Sequence, residues 1–333
     1  MRKLALYALA TVAGGLFATS AAAGDKCGHV SIAEMNWASA GVIAWIDKIV
    51  LEDGYGCDVE LMNGDTMPTF TSMNEKAQPD IAPELSVNAV REPLDAAIKE
   101  GRLIQAAETL SDGIVESWWV PAYVVKEHPD ITSVEKALAH PELFPAPENP
   151  SRGGIMNCPA GWNCQITTAN LFKALKADQK GFDLIDSGSA AGLDASIANA
   201  FENKKGWLGY YWSPTAVLAK YDMVRLPFEV PVDVKEYNSC TAVADCADPK
   251  VNSYPKGLTY AVVTKNFSET NPVAMGYITK RSWTNDIVNQ VLLWKDTNQA
   301  TNEETARYFL KTYPKVWSGW VPSDIAAKVT AAL

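Results

Sequence analysis

The chain has 333 residues, long enough for two lobes that each bury a core. Its 39 acidic side chains outnumber 29 basic ones, a formal charge of −10 at pH 7, which argues against nucleic acid and anionic membranes as partners. An acidic surface serves solubility first, and it also suits a cationic small molecule.

Arg2 and Lys3 precede an uncharged apolar stretch over residues 4–18, followed by Thr19-Ser20-Ala21-Ala22-Ala23. This is the pattern of a secretory leader, residues 1–23, cleaved after Ala23, so we expect a soluble protein exported to the periplasm. Val30, Ile32 and Met35 then read as a first strand ending at Trp37. Val42, Ile43, Ile46, Ile49 and Val50 recur at helical spacing over 38–52. Gly54 and Gly56 stop that helix, and Val59-Glu60-Leu61-Met62 starts a second strand. Strand–helix–strand is the unit of α/β folds. The pattern continues with a helix over 68–78, a strand over 80–82 and a helix over 94–99. The run 118–125 is strongly β-prone and approaches a lobe crossing. Helices follow near 167–176 and 193–203, then strands over 207–212 and 258–264, and tryptophan-bearing helices close the chain. The expected division is a first lobe over 24–121, a second over 122–226, and a return segment completing the first over 227–333.

All six cysteines follow the leader, and in an exported chain an even number points to disulfides. Cys158 and Cys164 bracket a short Pro-Gly loop, and Cys240 and Cys246 bracket a polar one. Cys27 and Cys57 then form the third pair. None of the three histidines, His29, His128 and His140, lies near a cysteine pair with metal-ligand spacing, so no metal is expected. The chain lacks a Gly-x-Gly-x-x-Gly or Walker loop and a His-Glu-x-x-His pair. Gly188-Ser189-Ala190-Ala191-Gly192 has the wrong order for a nucleophile elbow. The reading is a binding protein without cofactor rather than an enzyme.

The unusual feature is eleven tryptophans. Trp45, Trp283 and Trp294 fall at apolar helix positions and read as core. Trp37 falls at the carboxyl end of a strand, where open α/β sheets bind ligands, and Trp212 does the same after Gly209-Tyr210-Tyr211. Trp118 and Trp119 are adjacent on an extended run, so one of them faces a cleft. Trp162 sits inside the Cys158–Cys164 loop. Several aromatic faces around one point suit a methylated ammonium ion, which has no N–H to donate and binds ring quadrupoles instead.

Cys158-Pro159-Ala160-Gly161-Trp162-Asn163-Cys164 resembles the Cys-x-x-Gly-Trp-x-Cys loop of ProX- and OpuAC-type glycine betaine-binding proteins of ABC importers. Tyr210-Tyr211-Trp212-Ser213-Pro214 is similar to that family's Tyr-x-Trp-Thr-Pro segment, and Trp118-Trp119-Val120-Pro121-Ala122-Tyr123 to the Trp-Tyr-Val-Pro-x-Tyr run of betaine- and choline-binding members. Trp317-Ser318-Gly319-Trp320 resembles a C-terminal Gly-Trp element with a structural part. The resemblance implies a type II-like periplasmic binding protein with two lobes, each a mainly parallel sheet flanked by helices, and a ligand cleft between them. It implies cage walls at Trp162 and Trp212 and membrane permease subunits as partners of a monomer. Where the family carries another cage tryptophan in an Asn-Trp-x-Pro context, this chain reads Ile81-Ala82-Pro83-Glu84-Leu85. Trp37 and Trp119 or Trp118 therefore stand as the completing walls, with Glu84 and Glu116 facing the positive charge. Glycine betaine, trimethylamine N-oxide, choline, carnitine and dimethylsulfoniopropionate are the candidate ligands. The alternative from another class is an exported enzyme acting on a choline-like compound.

Overall fold

Two five-stranded sheets organise residues 27–333, the part of the chain that the computed structural model describes. The expected leader, residues 1–23, lies outside the described residues. The first sheet contains β1 (His29–Met35), β2 (Asp58–Gly64), β3 (Ile81–Ser86), β4 (Leu103–Glu108) and β10 (Thr259–Thr264), in the order β2-β1-β3-β10-β4. The second contains β5 (Val115–Pro121), β6 (Gly153–Met156), β7 (Phe182–Ile185), β8 (Gly209–Ser213) and β9 (Met223–Leu226), in the order β7-β6-β8-β5-β9. Helices flank both sheets, as the two-lobed α/β reading expects. Among the described residues no helix is long and apolar enough to cross a membrane.

Each sheet has one reversed strand, β10 against β3 and β4, and β5 against β8 and β9. The reversed strands are the two that follow a crossing between lobes. A chain arriving from the other lobe enters at the cleft and must run away from it, whereas the remaining strands run towards it. The cleft is thus lined by the carboxyl ends of forward strands and the starts of β5 and β10. The two crossings lie side by side, with Ile114 and Gly257 exchanging both backbone hydrogen bonds at 2.9 and 3.0 Å.

The boundaries differ from those read in the sequence. Trp118 to Pro121 pair with β9 in the second sheet, so the chain crosses before Val115 rather than after Pro121. The apolar run 118–125 misled because it holds two elements, β5 and the helix Ala122–Glu127. The return segment also stays with the second lobe until close to Gly257, since its turn Tyr237–Thr241 packs on the helix Asn163–Ala174.

The first sheet is covered on both faces, as its alternation requires. Val30 and Ile32 point into one core cluster with Ile43 and Ile46, while Ala33 and Met35 point into another with Phe70 and Met73. The helix Ala38–Ile49 buries its apolar stripe as the sequence periodicity predicts. The three disulfides are Cys27–Cys57, Cys158–Cys164 and Cys240–Cys246.

A charged pair lies inside the first lobe. Arg281 and Asp47 are both fully buried, with Nε to Oδ1 at 2.7 Å. Tyr277 donates to the same oxygen at 2.6 Å, and Arg281 Nη2 donates to the carbonyl of Pro83 at 2.8 Å. Burial pushes the Asp47 carboxyl up to about 6 even though Arg281 and Tyr277 pull it down. Arg281 thereby ties the helix Ala38–Ile49 to the backbone of β3. Arg281→Leu leaves an unpaired buried carboxylate and is expected to cost about 3–5 kcal/mol. Adding Asp47→Leu should recover most of that loss, as denaturant unfolding of the two variants will show.

Candidate functional site

Trp37 follows β1 and precedes the helix Ala38–Ile49, so its indole projects from the cleft end of the first lobe. Trp162 comes from the opposite lobe, in the turn that leads from β6 into the helix Asn163–Ala174. Trp212 is the fourth residue of β8. The three meet: the Trp37 and Trp162 rings lie 5.7 Å apart and those of Trp162 and Trp212 5.3 Å apart, both edge to face. Together they wall a cavity of about 540 Å³ measured out to its open mouth.

The lobes are in contact around this cavity. Trp162 Nε1 donates to Asn36 Oδ1 at 2.5 Å, and the Met67 amide donates to the Gly161 carbonyl at 3.2 Å. Gly161 has a φ of +93°, and a Cβ there would lie 2.9 Å from Asp65 Oδ2. Only glycine allows the loop both that turn and so close an approach to the first lobe. On the other side of the cleft Lys220 meets Asp296 at 3.3 Å.

Two carboxylates share the cavity wall with the tryptophans. Glu84, on β3, is 2 % exposed. Its Oε1 accepts from Trp37 Nε1 at 2.8 Å and from Ser39 Oγ at 2.6 Å, while Oε2 has no partner among the described residues. Burial pushes its carboxyl up to about 7, against the opposing pull of the two donors and of Arg281. Glu116, the second residue of β5, accepts from the Tyr210 hydroxyl at 2.6 Å and is also raised by burial. Two further oxygens of the wall, Asn163 Oδ1 and Thr259 Oγ1, are buried without partners. Among the described residues no lysine, arginine or histidine lines the cavity. Aromatic faces, two buried carboxyls and unused acceptors are chemically suited to positive charge. They do not form a nucleophile–base pair.

Of the sequence-derived positions, Trp37, Glu84, Glu116, Trp162 and Trp212 line this one cavity, and Trp118 and Trp119 do not. Trp118 shares a strand face with Glu116 but lies two residues further from the cleft, roughly 7 Å along the strand. It is completely buried in the second core, edge to face with Phe228 at 5.6 Å. Trp119 points to the other face, where its Nε1 donates to the Tyr211 carbonyl at 2.9 Å. Two aromatic residues of the wall, Tyr210 and Tyr237, were not singled out from sequence. Strand alternation alone places Tyr210 on the face of Trp212, whereas no local pattern marks Tyr237. A larger groove on the second lobe, walled by Phe144, Ile185, Asn199 and Trp207, carries no carboxylate.

The family described as the substrate binding domain of ABC-type glycine betaine transport systems matches residues 28–312. A trimethylamine N-oxide-binding protein of Pelagibacter ubique is 23% identical over 306 residues, covering 91% of this chain and 93% of that protein. Among solved structures, the glycine betaine/L-proline-binding protein ProX of Borrelia burgdorferi superposes with a TM-score of 0.72 at 16% identity, over 90% of this chain and 99% of that one. An ABC-transporter choline-binding protein in complex with choline gives 0.71 at 18%, over 92% and 98%. Lactococcal OpuAC, closed on glycine betaine, gives 0.67 at 19%, over 88% and 99%. At these identities the structural likenesses carry the fold.

Glu84 makes the stability of the ligand-free protein depend on pH. Its carboxyl is held at about 7 in the folded chain against 4.5 as a free side chain, so folding favours the protonated form. That contribution is complete below about 4.5 and is lost as pH rises through 7, on the order of 3 kcal/mol in all. Glu84→Gln is therefore expected to be more stable than the parent at pH 8 and to show a flatter profile between pH 5 and 8. Urea unfolding of both proteins at the two pH values measures this, and parallel profiles would contradict it.

Proposed function

Because this chain belongs to the family of substrate-binding domains of ABC-type glycine betaine transport systems, we propose that it captures a compact methylated amine between its three indoles and delivers it to permease subunits. It is a binding protein for methylated ammonium compounds, not an enzyme. Such binding proteins work outside the cytoplasmic membrane. For this chain we propose the periplasm, reached by way of the leader, and a monomer that docks on the importer.

The observation that carries the reading is the edge-to-face packing of Trp162 with both Trp37 and Trp212, over two buried carboxyls and with no basic side chain in the lining. A quaternary or N-oxide nitrogen has no N–H, so water solvates it weakly through its methyl groups. Indole faces replace that solvation at little cost and add roughly 0.5–2 kcal/mol per ring. A primary ammonium seated against the three indoles would give up hydrogen-bonded water on those sides for rings that accept poorly, which disfavours it there. No arginine or lysine is available to clamp a long carboxylate, which favours the smaller members of the class, trimethylamine N-oxide and glycine betaine, over carnitine. The Pelagibacter relative supports the same choice.

Trp162→Ala and Trp212→Ala are each expected to weaken binding by about 1–3 kcal/mol, from lost quadrupole contact and lost methyl burial. The phenylalanine variants should lose less. Calorimetric titration measures both, and full affinity in both alanine variants would contradict the cage. The charge of Glu84 adds a pH dependence. Cation binding favours the ionised carboxylate, and in the empty cleft that form fades as pH falls through about 7. Affinity for choline should thus be constant above pH 8 and decline below 7, whereas Glu84→Gln should bind choline weakly at every pH.

A further inference from the structure

We infer that Tyr237 is a ligand-contacting, specificity-determining residue whose hydroxyl donates to the anionic oxygen of a zwitterionic methylated amine. The inference rests on the cage reading above and names what lies opposite the ammonium group.

Tyr237 lines the cavity and is 2 % exposed, on a π-helical turn, Tyr237–Thr241, of the return segment. That turn has no contact with sheet hydrogen bonding, yet it is firmly held. The disulfide Cys240–Cys246 closes it, and the Nδ2 of the buried Asn170 lies within hydrogen-bond distance of two of its carbonyls, Cys240 at 3.1 Å and Thr241 at 3.1 Å, and of the Val243 carbonyl just beyond it at 2.9 Å. Asn170 belongs to the helix Asn163–Ala174, which begins immediately after Trp162. The phenol and the Trp162 indole are therefore mounted on one piece of the second lobe, and closure carries both to the ligand together.

The chemistry of the wall assigns the hydroxyl its task. Tyr210 is committed to Glu116, and the Tyr237 ring rests edge to face on Tyr254 at 6.3 Å. Among the described residues nothing accepts from the Tyr237 hydroxyl, and burial holds it in the protonated, donating form. Glu84, Glu116 and Asn163 Oδ1 offer acceptors, and no cationic side chain is present to meet an anion. A phenol is a stronger donor than the aliphatic hydroxyls of Thr66, Ser86 and Thr259, which line the cavity from the first lobe. Burial disfavours the charged form of the neighbouring Glu116, which lessens the repulsion of an anionic oxygen beside it.

Trimethylamine N-oxide and tetramethylammonium separate this from the cage itself, because both can present three methyls to the rings while only the N-oxide carries an anionic oxygen, in place of the fourth methyl. In calorimetric titrations at pH 7, Tyr237→Phe is expected to weaken the N-oxide roughly tenfold or more and to leave tetramethylammonium unchanged. Full N-oxide affinity in Tyr237→Phe, or an equal loss for both probes, would overturn the assignment while leaving the cage intact. Full affinity for both probes in Trp162→Ala would instead remove the cage.

Discussion

Trp162 belongs to the second lobe, yet its edge packs on Trp37 of the first, and its indole nitrogen reaches Asn36 there. This one side chain makes the binding wall continuous only when the lobes are together. Everything around it serves the approach. Gly161 lets the loop turn beside Asp65, Cys158–Cys164 closes that loop, and the paired crossings at Ile114 and Gly257 leave the two lobes joined by only two strands of chain. Two lobes joined so narrowly can close as rigid bodies by small backbone changes at the crossings. On the proposed function, an ammonium ion between the indoles would supply the differential contact that favours the closed form.

The same wall carries an electrostatic tension. Glu84 and Glu116 are buried with no basic side chain in the lining to neutralise them, and burial raises both. In the empty cleft such groups oppose folding when ionised. On the proposed function, a bound cation would restore the missing charge and turn the same groups into attraction. The site is thus destabilised in the free protein in the sense that favours ligand. Arg281 and Asp47, by contrast, pair their charges within the first core. They brace β3 through the Pro83 carbonyl, next to Glu84.

Sequence made the parts with local periodicity legible. The strand–helix–strand start, the two-lobed α/β class and the three cysteine pairs are all present in the structure. Short strands such as Gly153–Met156 and Phe182–Ile185 escaped notice, because four residues carry too little pattern to separate from loops. Trp118 and Trp119 show why residue type alone does not fix a wall: both had the right chemistry, but depth along β5 and strand face direct them elsewhere. Trp294 was read as core, yet it stacks on Tyr308 at 4.0 Å in a half-buried position. Tyr237 was invisible because its place depends on Asn170, 67 positions away in a different element. Residues at strand ends were readable from position, and those brought in by long-range anchoring were not.

If aromatic faces rather than hydrogen bonds hold the nitrogen, affinity must depend on the number of methyl groups it carries. Calorimetric titration of glycine, sarcosine, dimethylglycine and glycine betaine at constant pH tests that directly, since the carboxylate and the formal charge stay the same across the series. The account predicts affinity rising with each methyl, with glycine undetectable where glycine betaine binds. Glycine binding as tightly as glycine betaine would contradict it.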